Sequence, residues 1–155
     1  MKVWNFKTES NPTDISKKLE SKLGSDNGFV FSVDSDKNNS ITFKIRKRIL
    51  YAWHLAYQNW TIINGKLLNI DAENKTNVEV SFTQHFLIRL IVITHLFLGL
   101  GALIAVFSGI NSSPSMYIFG GILLAIGIAL WIAVQKKFEK DIQKYKTLIS
   151  GILES

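Results

Sequence analysis

Between residues 86 and 135 the alternation of polar and apolar positions gives way to almost continuous hydrophobicity, and in those 50 positions the only charged side chain is Arg89. Two apolar runs, 90–108 and 117–135, flank a short polar break at 109–116. Each run is about 19 residues long, and at ~1.5 Å rise per residue it reaches roughly 28 Å, close to the hydrocarbon thickness of a bilayer. The pattern predicts a transmembrane helical hairpin over 86–135, with the rest of the chain on one or other side of it.

Residues 1–85 have the pattern of a soluble α+β domain. Residues 2–7 alternate loosely as a strand. Asn11, Pro12 and Asp14 are an N-cap, a first-turn proline and a first-turn acid, and they open a short helix with an apolar stripe of Ile15, Leu19 and Leu23 before Gly24. Residues 29–34 read as a strand. Ile41, Phe43 and Ile45 alternate with Thr42, Lys44 and Arg46, and Val78, Val80 and Phe82 alternate with Glu79, Ser81 and Thr83. Asn64-Gly65 reads as a hairpin turn or as a bulge within one long strand. Together these predict an antiparallel meander of about five strands with one N-terminal helix. No linker separates the last strand from Phe86, so the domain is expected to sit against the membrane surface.

After the second apolar run, Phe138, Ile142, Tyr145, Ile149 and Ile152 recur at spacings of 4, 3, 4 and 3. Two heptads are too few for an isolated coiled coil. The stripe Ile15, Leu19 and Leu23 is too narrow to cover a five-stranded sheet. The amphipathic helix 136–155 is therefore expected to pack back on the first domain; the alternative is a parallel dimer through the same seam.

Within the hairpin, small residues recur every fourth position: Gly101, Ala105 and Gly109 in one run, Gly121, Ala125, Ala129 and Ala133 in the other. Such stripes let helices approach closely in lipid. An antiparallel register that sets Gly101 opposite Ala125 and Ala105 opposite Gly121 favours packing inside one hairpin over dimerisation. His95 is the intramembrane polar candidate, since an ionisable group in a span is a functional candidate by default; a bond to a backbone carbonyl or to a second copy would explain it equally.

Charge sets the expected orientation. Residues 1–85 hold 12 Lys/Arg against 9 Asp/Glu, residues 136–155 hold 5 against 3, and the loop between the runs holds none. Arg89, Lys136 and Lys137 flank the same side of the hairpin. The positive-inside rule then places both termini in the cytoplasm and the 109–116 loop outside, in a multi-pass protein of the cell (inner or plasma) membrane. The first ten residues lack the apolar core of a cleavable signal peptide. Residues 46–60 mix Arg46, Lys47 and Arg48 with Tyr51, Trp53, Tyr57 and Trp60. That mixture suits the headgroup region, where Arg46, Lys47, Arg48, Trp53, Arg89, Lys136 and Lys137 are the candidate contacts. A core strand rich in aromatics is the plainer reading, and single-stranded nucleic acid, which such mixtures also suit, is not an expected partner.

The chemistry-bearing residues do not converge. The chain has no cysteine, which removes disulfides, thiolate metal sites and cysteine nucleophiles. His54, His85 and His95 show no metal-ligand spacing, and there is no phosphate-binding loop or nucleophile elbow. Asp34, Asp36 and Asn38 faintly resemble a calcium loop without its glycine and distant glutamate. No cofactor, metal or catalytic residue is assigned.

The polar N-terminal domain, the turn-rich stretch from Asn64 to Phe82 and the abrupt two-span tail resemble a group of uncharacterised small bacterial membrane proteins. The order strand, helix, meander is also similar to the helix-grip (START-like) fold, in which 136–152 would supply the long C-terminal helix after a transmembrane detour. That resemblance implies an apolar-ligand pocket. The expected function is a non-enzymatic, membrane-anchored binding or regulatory module with the lipid bilayer and a protein or apolar small molecule as partners. The alternative is a lipid or apolar-ligand-handling domain held at the membrane, and oligomerisation is compatible with both.

Overall fold

The computed structural model describes residues 1–24, 28–35, 40–48, 61–70, 75–110 and 113–154. Two units emerge, Met1–Gln84 with Lys140–Ser155, and His85–Glu139. In the first, strands β1 (Lys2–Thr8), β2 (Phe29–Ser35), β3 (Ser40–Lys47), β4 (Thr61–Ile70) and β5 (Lys75–Gln84) form one sheet in the order β1-β5-β4-β3-β2. Every neighbouring pair is antiparallel. Strands β2 to β5 are the expected meander. β1 is not part of it: it pairs with β5 at the far edge, Val3 facing Ser81 and Phe6 facing Val78. The chain must therefore cross from one edge of the sheet to the other between β1 and β2. It does so as helix α1 (Pro12–Leu19), prolonged by the π-helical turn Glu20–Gly24.

The start of α1 follows from its sequence. Asn11 has extended backbone angles, and its side-chain oxygen accepts from the Thr13 amide at 3.0 Å. Pro12 occupies a position where no amide proton is needed, and Asp14 lies in the first turn, at the positive end of the helix. Thr76, fully buried, donates to the Ser10 carbonyl at 2.6 Å and fixes the loop between β1 and α1 on the sheet.

Asn64-Gly65 is no turn. It lies in mid-strand in β4, where Gly65 pairs with Phe43 of β3. A Cβ on Gly65 would overlap the Phe43 ring. The glycine is there because the ring lies across its backbone, a use of glycine that needs no unusual φ.

Alternation sorts the sheet into two faces. One carries Phe43 and Ile45, Ile63 and Leu67, and Val78, Val80 and Phe82, all 2% exposed or less. The other carries Thr42, Lys44, Asn64, Lys66, Glu79 and Ser81. Among the described residues, two elements cover the apolar face. Helix α1 and its extension supply Ile15, Leu19 and Leu23, and the end of the last helix, α3 (Pro114–Glu154), supplies Ile142, Tyr145, Ile149 and Ile152. The seam docks through named contacts. The Tyr145 ring meets Phe29 edge-on at 6.2 Å, Lys146 sits 5.6 Å over the Trp4 ring, and Lys18 donates to the Leu153 carbonyl at 3.4 Å. At about 1.5–3 kcal/mol for each fully buried aliphatic or aromatic side chain, the four seam residues are a large share of this unit's stability.

The second unit holds α2 (Phe86–Phe107) and the first part of α3. His85 caps α2, its Nδ1 accepting from the Leu87 amide at 3.2 Å. The helix ends in a Schellman motif. Gly109 has φ +73°, its amide donates to the Val106 carbonyl, and the Ile110 amide donates to the Ala105 carbonyl, both at 3.0 Å. Gly109, read from the sequence as part of a packing stripe, is a helix terminator. Pro114 opens α3 at a position where its missing amide proton is no loss.

Candidate functional site

Two regions gather the residues singled out by the sequence: the hairpin seam in the second unit and one end of the sheet in the first.

In the seam, the helices touch through glycines other than those expected. A Cβ on Gly99 would lie 2.6 Å from the Leu124 amide nitrogen, and one on Gly127 would lie 2.9 Å from Leu96 Cδ2. A Cβ on Gly120 would meet the Ala102 Cβ at 3.1 Å. Val92, Gly99, Ala102 and Val106 are the buried residues of α2. The expected stripe is on another face: added Cβ atoms on Gly101 and Gly121 meet nothing within 4 Å, Ala125 and Ala129 are exposed, and Ala105 is only half-buried. The expected register would set residue 99 opposite 127, whereas the structure sets it against Leu124, nearly a turn away.

The physical reason is the helical repeat. A stripe of every fourth residue advances ~40° per step and fans around the helix, whereas a seven-residue spacing drifts only ~20°. Val92, Gly99 and Val106 keep that spacing on α2, as do Gly120 and Gly127 on α3. It is the spacing of helices that pack at shallow crossing angles. The signal was present in the sequence as a heptad and was masked by the more conspicuous four-residue repeat.

His95 is half-buried, with Nδ1 2.8 Å from the Ile91 carbonyl of its own helix. A carbonyl can only accept, so Nδ1 carries the proton and donates. The bond to the preceding turn satisfies the ring's donor without a second helix. Thr94, one residue earlier, is exposed.

At the sheet end, Arg46 and Lys47 close β3, and the Arg48 amide donates to the Gly28 carbonyl at 2.9 Å, extending the pairing by one residue. Arg46 and Arg48 are exposed and Lys47 is half-buried. Beside them the Thr61 hydroxyl donates to Asp141 at 3.4 Å, and the Gln84 amide nitrogen is buried without a partner among the described residues. Arg89, Lys136 and Lys137 are exposed. Trp53, Tyr51, Tyr57, Trp60 and His54 lie outside the described residues, as do Asp36 and Asn38 of the calcium-like turn.

Among the described residues no three His, Asp or Glu side chains lie close enough to share a metal ion. A cleft of about 520 Å³ opens beside the start of α1, lined mainly by polar residues such as Glu9, Asn11, Asp14 and Lys18. A shallower one of about 420 Å³ lies on the polar face of the sheet around Lys44, Asn64 and Glu79.

The outer surface of the hairpin is the stronger functional feature. Over their most apolar windows, with mean hydropathy 2.5 and 2.4, α2 and α3 are only 22% and 11% buried. A core helix of a water-soluble protein turns such a surface inward; these helices turn Phe97, Phe107, Ile118 and Phe119 outward, at 56–77% exposure. Both helices are long and apolar enough to cross a membrane. Comparison of the chain with known protein families, curated proteins and solved structures returns no match.

Proposed function

We propose that this chain is a two-span integral membrane protein whose α+β unit is a non-enzymatic binding or regulatory module anchored at the cytoplasmic face. The observation that carries the reading is the low burial of two long apolar helices. The scattered disposition of titratable groups among the described residues supports a binding role over catalysis. Both termini lie in the cytoplasm and the short loop lies outside, a topology supported by the charge-free loop and the basic flanks.

The alternative, handling of a lipid or apolar ligand, is favoured by the strand order, in which the first strand adjoins the last and a long C-terminal helix covers the sheet. This is the layout of the helix-grip resemblance. It requires an apolar cavity between sheet and helices. The described core there is closely filled, with Ile15, Leu19, Ile63, Leu67 and Ile149 at 1% exposure or less, and this supports the binding module.

The chain has no native cysteine, so single cysteines can report topology without background. Ile110→Cys in intact cells is expected to react with a membrane-impermeant maleimide, and Asn5→Cys only after lysis. Release of the protein by alkaline carbonate would overturn the anchor, and the reverse labelling pattern would overturn the orientation.

A further inference from the structure

The strand directions sort the charges of the first unit. β5 ends at Gln84, which pairs with Thr61; the same end of the sheet receives the start of β1, where Lys2 faces Phe82, and the end of β3, where Lys47 faces Phe29. Lys2, Arg46, Lys47 and Arg48 therefore share one end. The bond from Thr61 brings Asp141 there, with Lys140 its neighbour in the helix. The opposite end carries both signs: Glu9, Asp14 and Lys18 beside the start of α1, Asp34 near the end of β2, Glu154 at the end of α3, Lys7 near the end of β1 and Lys75 at the start of β5. Basic side chains thus dominate one end of the strands, while the other end carries both signs. The basic end is the one where the chain leaves for α2, with only His85 between Gln84 and Phe86. One residue spans ~3.5 Å at most, so the end of β5 cannot stray far from the start of the apolar helix.

We infer that this basic end, centred on Arg46, Lys47 and Arg48, is a docking surface for the anionic headgroups of the bilayer that the hairpin enters. The inference rests on the membrane-anchored reading and adds a lipid class to it. The cations are held in register, since the bond from the Arg48 amide to the Gly28 carbonyl ties the strand end to β2. Arginine forks suit phosphate oxygens, and at an anionic surface each basic residue contributes to the attraction independently of lipid tail or sequence.

The test uses the full chain in lipid nanodiscs, with hydrogen exchange followed in the peptide covering residues 42–48. In discs where about a quarter of the lipid is phosphatidylglycerol, exchange at the end of β3 is expected to be at least ~10-fold slower than in phosphatidylcholine discs. Three charges at an anionic surface amount to a preference of roughly 150-fold, which leaves room for that effect. The protection should disappear near ~0.5 M NaCl, where screening shortens to a few ångströms. It should also disappear in Arg46→Gln/Lys47→Gln/Arg48→Gln and persist in Lys7→Gln/Lys17→Gln/Lys66→Gln, which removes as much charge elsewhere. Equal exchange in the two lipids, equal loss in both triple variants, or protection produced by single-stranded RNA in neutral discs instead of by anionic lipid would overturn the inference. The wild-type salt and lipid comparisons decide the matter even if the triple variant fails to fold. Carbonate extraction of the same preparation reports separately on the anchor.

Discussion

Gly65 and Phe43 are one packing unit built from two strands. The ring fills the space a side chain at 65 would take, so the glycine's missing Cβ and the buried phenyl depend on each other. Gly65→Ala is expected to destabilise the sheet by about 1–3 kcal/mol, the usual effect of overfilling a packed site. Phe43→Leu leaves a gap there, and Gly65→Ala/Phe43→Leu should be more stable than the sum of the single effects, with a coupling of about 0.5–3 kcal/mol. Thermal unfolding of the full chain in detergent measures all three variants. An additive double variant would mean that the ring can move aside. Asn-Gly between two apolar runs resembles a turn because the same residue serves two needs, a positive φ and an absent side chain. Which need applies is decided by a residue on another strand, and local sequence does not show it. The Asn11 cap is a different case: cap, proline and first-turn acid are all local, and the sequence alone places the start of α1.

At the scale of elements, the two helices of the hairpin are held by a seven-residue pattern of contact, and this separates glycines that look equivalent. Gly99→Ile is expected to force the helices apart, because its side chain would enter the Leu124 backbone; Gly101→Ile meets open space and should leave the pair intact. Proximity labelling between cysteines on the two helices, or protease resistance of the detergent-solubilised hairpin, distinguishes them. Similar losses for both would bring the four-residue stripe back into contention, through a second copy. Gly109→Val at the positive φ that ends α2 should cost about 1–2 kcal/mol, seen as a fall in melting temperature. Both apolar runs and the amphipathic heptad after them could be read from hydropathy, because length and periodicity are properties of one segment. The face on which two helices meet is a property of a pair. For that the seven-residue spacing of Val92, Gly99 and Val106 was the better guide, and the commoner small-residue spacing hid it.

For the whole molecule, the described residues that close the sheet's apolar face come from two helices far apart in the sequence, α1 and the end of α3. Ile149, fully buried, is expected to lose about 2–5 kcal/mol on replacement by alanine, whereas Lys144→Ala on the exposed side should change little. A chain cut after residue 135 keeps every strand but loses Ile142, Tyr145, Ile149 and Ile152. It is expected to be recovered as aggregate or as protease-sensitive material, and supplying residues 136–155 as a separate peptide should partly restore resistance. Full protease resistance of the cut chain would show that α1 alone suffices. The strand order was less accessible than the strands themselves. Nothing local in residues 2–8 says that they pair with the last strand; the crossing is imposed by α1, whose apolar stripe must lie over the middle of the sheet.

The continuity of α3, 41 residues in a single helix, also has a temporal side. A ribosome makes the strands before the hairpin, and the residues of α3 that close the core emerge only after both apolar runs. Until both apolar helices have been synthesised, the finished strands have one face uncovered. The nascent sheet is then in its most aggregation-prone form at the moment when the hairpin, too, is looking for a place to bury its surface. Maturation of the domain is thereby tied to completion of the hairpin, and a chain stalled between the two would carry an open sheet for chaperones and proteases to recognise.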